Sequence, residues 1–259
     1  MLDLRLVPFT VLLLYSAGIV AVATASGMSF TLLLVLLLLL PLIILLNREQ
    51  VALAPLSMMV LLGATLLLIL EAFARITGSW YSVSPSVWPG WSGITIDAAL
   101  FSILHTLYIV VLYEYFFDDR AVTGVRYVHR FGRSAVVFLL LLGCSYAVLF
   151  LFLEVAFAFT WLLATLLFTT GGVMLLSSPK TPGALFAKIR RFTILMAPIS
   201  LLLEIVATVY GVRIYAFESD YLATFTWFGA AIPLEEILLV ILLPGILAWC
   251  YELFIDDAR

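Results

Sequence analysis

The chain has little charge. Only 11% of its 259 residues are Asp, Glu, Lys or Arg, and the formal net charge is −3. A soluble domain carries about a quarter charged residues, so an ordinary water-facing surface is excluded. Cysteine is also scarce. Cys144 and Cys250 both fall inside apolar runs, which makes them small packing residues and not a disulfide or a metal site. There is no Rossmann fingerprint, no P-loop and no metal-binding His/Cys spacing. No cofactor, no metal and no nucleic-acid partner is expected. Lysine is rare, with Lys180 and Lys188 the only two against 11 arginines. That bias points to a GC-rich prokaryotic genome.

Apolar sequence is abundant. The chain is 65% hydrophobic, and its mean hydropathy is +1.22. One membrane span needs about 20 mostly apolar residues. The runs predict eight spans, at 6–26, 29–46, 51–75, 94–117, 134–153, 155–177, 190–212 and 232–254. The first has Arg5 ahead of an apolar core, as a signal peptide does, but its length and the spans that follow make it a transmembrane helix. The run 134–177 is about twice one span and is divided near Glu154. Unpaired backbone groups are not tolerated in lipid, and the runs are too long for barrel strands, so the spans must be helices. The expected fold is an all-α integral membrane protein. Counting loops alternately puts Arg5, Arg48, Arg120, Arg126, Arg130, Arg133, Lys180, Lys188, Arg190, Arg191 and Arg259 on one side. The other side holds only Arg75 and Arg213. By the positive-inside rule both termini are cytoplasmic, in the multi-pass membrane of a prokaryotic cell. The lipid bilayer is thus one partner, and oligomer formation is left open.

The sequence also repeats. "LYEYFFDDR" at 112–120 resembles "CYELFIDDA" at 250–258, an offset of 138. At the same offset "GITIDAALF" (93–101) lies on "AIPLEEILL" (231–239), matching Thr95 to Pro233, Asp97 to Glu235 and Ala98 to Glu236. Upstream, "LEAFARITG" (70–78) resembles "LEIVATVYG" (203–211) at an offset of 133. Two four-helix halves are expected, 1–120 and 121–259, the second carrying the Pro-Leu-Glu-Glu segment. Four spans per half gives both halves the same orientation, a parallel repeat.

Ionisable residues inside spans are costly and functional by default. Glu71, Asp97, Glu154, Glu204, Glu235 and Glu236 all lie toward the outer side of the predicted topology. Simpler readings stand beside each. Proline at a helix start and acids in the first turn are ordinary. Glu71 has Arg75 one turn on as a partner. Glu114 and Glu252, near the cytoplasmic ends, are read as interfacial and paired with arginines. His105 lacks a second ligand at metal spacing and is read as packed or hydrogen-bonded. Pro244-Gly245 marks a bend. The outer loops carry Trp80, Tyr81, Trp88 and Trp91 in one half, and Tyr215, Tyr221 and Trp227 in the other. These suit an aromatic belt at the headgroups, or an aromatic wall that stabilises a cation. Adjacent buried acids titrate as a coupled set, which suits proton donation, cation stabilisation or proton transport.

"FGAAIPLEEILLV", in a small helical chain of two similar halves, resembles the fused form of the heterodimeric, non-flavin lycopene β-cyclases. The resemblance is architectural over both halves and most specific over 203–257. It implies acid-catalysed, non-redox closure of the linear end of lycopene, or of a related carotenoid polyene, to a β-ionone ring. The enzyme would be an isomerase-type intramolecular lyase without cofactor. It implies catalytic roles for Glu235 and Glu236, one as general acid and the other as cation stabiliser or base, with Asp97 as the first-half acid. Pro233, Glu71, Glu204, Trp91, Trp227 and Tyr221 would border the substrate. The first half departs from the pattern, with Thr95-Ile96-Asp97 where Pro-x-Glu is wanted. Two other readings are a non-catalytic carotenoid-binding or membrane-complex subunit, and a small proton-coupled transporter.

Overall fold

A computed structural model of the chain describes residues 2–48, 53–83, 95–117, 128–152, 158–176, 182–215, 221–227 and 229–252. Eight helices occupy the places of the eight predicted spans. They are α1 (Leu2–Ser26), α2 (Phe30–Arg48), α3 (Leu53–Thr77), α4 (Ile96–Phe117), α5 (Val128–Phe152), α6 (Ala158–Leu176), α7 (Pro182–Val209) and α8 (Leu234–Tyr251). Within α2 the stretch Val35–Leu39 widens to a π-helix, and Tyr15 donates to the Leu36 carbonyl there at 2.5 Å.

Among the described residues six stretches, in α1 to α4, α7 and α8, are long and apolar enough to cross a membrane. A shorter apolar stretch, Val136–Val148, lies in α5. The protein is mostly helical, as a multi-pass membrane protein is. Large apolar side chains such as Leu14, Leu61, Phe168 and Ile194 face outward, as they do where the surrounding solvent is lipid. The division near Glu154 lies outside the described residues.

Packing follows the order of the helices. α3 lies along α4, and α7 lies along α8. α1 packs on α2 and α5 on α6, α2 on α4 and α6 on α8. Across the two halves, α1 meets α7, α3 meets α5, and α4 meets α8. Exchanging each helix for the one four places on reproduces these contacts, but α3 also meets α6 and α4 also meets α7, contacts whose exchanged counterparts are weaker. Two glycines set the closest approaches. A Cβ at Gly63 would overlap Thr106 on α4, and a Cβ at Gly245 would overlap Thr193 on α7. Proline at 244 does not interrupt α8, which is one helix from Leu234 to Tyr251.

Among the described residues four short strands, missed in the sequence reading, supplement the helices. β1 (Trp80–Ser82) pairs antiparallel with β2 (Arg213–Tyr215), joining the loops of the two halves. β3 (Thr224–Trp227) pairs with β4 (Ala230–Pro233) and leads into α8. Loop backbone between spans needs hydrogen-bond partners, and these pairings supply them.

The opposite ends of α4 and α8 correct an expectation. Glu252 is buried, not interfacial, and accepts hydrogen bonds from Lys188 and Tyr113. Its partners are a lysine and a tyrosine rather than an arginine, because α4 and α7 pack against α8 there and bring those side chains inward. Glu114 is buried too.

Candidate functional site

The starts of α4 and α8 face a common space. Thr95 caps α4, its hydroxyl accepting from the Ala98 N–H at 3.1 Å. Pro233 caps α8 from an extended backbone (φ −63°, ψ 147°) with no side-chain bond to the helix. Proline thus stands one place before the first helical turn, where its fixed φ costs nothing. Both caps place acids in the turn that follows, Asp97 in α4 and Glu235 and Glu236 in α8.

Between them lies a cavity of about 60 Å³, which is large enough to hold water. Its upper wall carries Glu71, Asp97, Glu204, Glu236 and Arg213, from both halves of the chain. The deeper wall is apolar apart from Ser102 and His105, with Leu67, Leu239 and Leu243 opposite them. Four of the acids named from sequence therefore meet.

Glu235 and Glu236 do not act on the same space. Successive helical residues point about 100° apart. Glu236 accepts from Arg213 Nη1 at 2.6 Å, and its Oε2 has no partner among the described residues. Glu235 turns toward α6 and is not a cavity residue. Its Oε1 accepts from the Thr160 hydroxyl at 2.7 Å and the Leu222 N–H at 2.8 Å. Adjacency in sequence suggested a working pair; helical geometry separates them.

Each half holds its own deep acid with two donors from its own strand. Glu71 accepts from Trp80 Nε1 at 2.9 Å and from the Ser82 hydroxyl at 2.7 Å. Glu204 accepts from Arg213 Nη1 at 2.7 Å and from the Tyr215 hydroxyl. Arg213 therefore bridges Glu204 and Glu236, and its guanidinium lies 5.6 Å from the Trp80 ring. Burial works against its charge, but Glu204 and Glu236 outweigh that and hold its pKa well above the ordinary value. Tyr215 is also pushed well up, first by burial and then by the same two carboxylates. Arg75 does not pair with Glu71; it donates to the Ser82 carbonyl at 3.0 Å. Asp97 accepts from the Thr31 hydroxyl at 2.8 Å.

The remaining candidates sit around the mouth or beyond it. Tyr221 donates to the Ser79 carbonyl, tying the two loops together, and does not line the cavity. Pro233, the last residue of β4, is buried, and Trp227 is exposed on β3. Trp91 lies outside the described residues. Sequence reading missed the part played by Arg213, Trp80, Ser82, Tyr215 and Thr160. Arg213 had a signal: it is one of two basic residues on the acid-rich side, so a counter-ion was to be sought there.

No protein-family model matches the chain, and neither does any curated protein or solved structure. Residues and geometry alone carry the functional reading.

Proposed function

We propose that the chain is a carotenoid-modifying membrane enzyme, closing the linear end group of lycopene or a related polyene to a β-ionone ring without net redox change. The reading takes eight spans in two parallel halves, both termini cytoplasmic and the cavity toward the outer side. The observation that carries it is charge imbalance: Glu71, Asp97, Glu204 and Glu236 border one cavity whose only cation among the described residues is Arg213. Four carboxyl groups beside one cation in a largely apolar pocket are costly to hold all charged, which favours a proton shared among them. That combination supplies an acid beside anions, as cyclisation requires.

Glu236 is assigned as the proton donor, because it lines the cavity in the first turn of α8, beside Glu204, and its Oε2 accepts from no donor among the described residues. Its proton adds to the terminal double bond of the polyene. The carbocation formed is attacked by the next double bond, which closes the ring. The second cation then loses a proton to a base, leaving a new ring double bond and no change in oxidation state. Glu204 and Asp97 stabilise the positive charge. Glu235 positions α8 against α6 and the approach to β3.

Expression in lycopene-making cells, with pigment analysis, tests the reading. Cyclic product is expected, and absence of any ring would overturn it. A second reading, a proton-coupled transporter, is favoured by the small cavity and by the cluster of buried Glu252 and Tyr113 with half-buried Lys188 at the far ends of α4 and α8. Proton uptake by liposomes carrying the protein, without any ring product, would select it.

A further inference from the structure

His105 has a part that the carboxylates leave vacant. It is 2% exposed, and neither ring nitrogen has a hydrogen-bond partner among the described residues. A buried polar group without a partner costs about 1–3 kcal/mol, so its retention calls for a reason. The neighbouring hydroxyls do not serve it. Ser102 donates to the Ala98 carbonyl and Thr106 to the Ser102 carbonyl, both at 2.8 Å. The imidazole packs on Phe101, ring centres 4.8 Å apart, and lines the cavity beneath the acids. It stands seven residues past Ala98, roughly 10 Å deeper along α4. Across the cavity the position matched to it at an offset of 138 is Leu243, which carries no such group.

Resting on the cyclase reading above, we propose that His105 is the base that ends the reaction. Glu236 gives a proton from the mouth. The ring cation then sits between the acids and the imidazole. A ring nitrogen takes a proton from the ring carbon bearing the polyene chain, and that C–H electron pair becomes the ring double bond. One proton is added and one removed, so atoms and charge balance once His105 returns its proton toward Glu236. The base fixes the product: a proton lost from another carbon places the double bond elsewhere in the ring.

The test uses full-length protein in lycopene-making cells, comparing wild type with His105→Leu and His105→Asn. The readout is the ratio of ring isomers. That ratio does not depend on how much of each variant folds. The expected result is a shift from the β-ring to isomers with the double bond displaced, with total rings falling about 10²–10⁴-fold. Wild-type β-rings with an unchanged isomer ratio and near-normal yield in both variants overturn the role of His105 and leave the cyclase reading intact. No ring from wild type overturns both.

Discussion

Glu71 and Glu204 occupy matched positions, 133 residues apart, and so do the strands that hold them: Trp80 with Arg213, and Ser82 with Tyr215. The pairing register is symmetric about that match, since Tyr81 pairs with Ile214, its own counterpart. Yet the chemistry differs. The first half surrounds its acid with neutral donors; the second uses a guanidinium. The difference tracks the cavity. Where the second half puts Glu236, the first has Ala98, and both line the same space. Each half puts two carboxylates on the cavity, Glu71 and Asp97 against Glu204 and Glu236, and only the second half adds a cation. The second half is therefore the ion-paired half of the site, and the first holds its acids with neutral donors alone.

The largest test of that contrast is Glu236→Gln against Asp97→Asn. Loss of the donor should lower ring formation about 10²–10⁴-fold. Asp97→Asn should lower it much less, because its Thr31 bond survives in the amide. Glu235→Gln should leave the ring isomers unchanged, since its contacts point to α6. Pigment yield normalised to protein level reads all three. Equal losses at positions 97 and 236 would break the asymmetry.

Removing the strand donors comes next. Arg213→Leu leaves two buried carboxylates without their cation, and stability should fall by about 3–5 kcal/mol. Trp80→Phe removes one N–H from Glu71 and should cost about 1–3 kcal/mol. Thermal melting in detergent separates them, and similar losses would mean that Glu71 and Glu204 are held alike. The helix contacts form a smaller pair. Gly63→Ala drives a methyl group into Thr106, with Leu247 also close at 3.1 Å, whereas Gly245→Ala meets Thr193. Each should cost about 1–3 kcal/mol by overpacking, Gly63 the more. Thr193→Ala should rescue Gly245→Ala alone.

Much of this was legible in sequence because membrane helices obey few rules. Apolar length places all eight helices, and acids within apolar runs betray themselves by cost; Glu71, Asp97, Glu204 and Glu236 border one cavity. The offset of 133 read at 70–78 extends to Trp80 and Ser82, but only their contacts give it meaning. Direction around a helix was harder. Glu235 looked like half of a pair because spacing in sequence says nothing of the 100° between neighbours when the whole helix is apolar and has no polar face to orient it. His105 looked inert for the same reason: an unsatisfied nitrogen is a property of its surroundings. Strand pairing between distant loops such as 80–82 and 213–215 leaves no local pattern at three residues' length.

The smallest difference between the halves is the second donor, and pH exposes it. Tyr215 titrates and Ser82 does not. The raised pKa of Tyr215 means that the folded protein prefers the neutral phenol. Its contribution is therefore fully present below the ordinary value of 10. It is lost as pH rises from there toward the folded value. At pH 8, Tyr215→Phe should cost about 1.5–3 kcal/mol, as for a hydrogen bond to a charged group. As pH climbs beyond that ordinary value, the melting-temperature gap between wild type and Tyr215→Phe should narrow. The gap for Ser82→Ala should stay flat over the same range. If both gaps move together, the alkaline loss comes from elsewhere, and the two clamps differ only in charge.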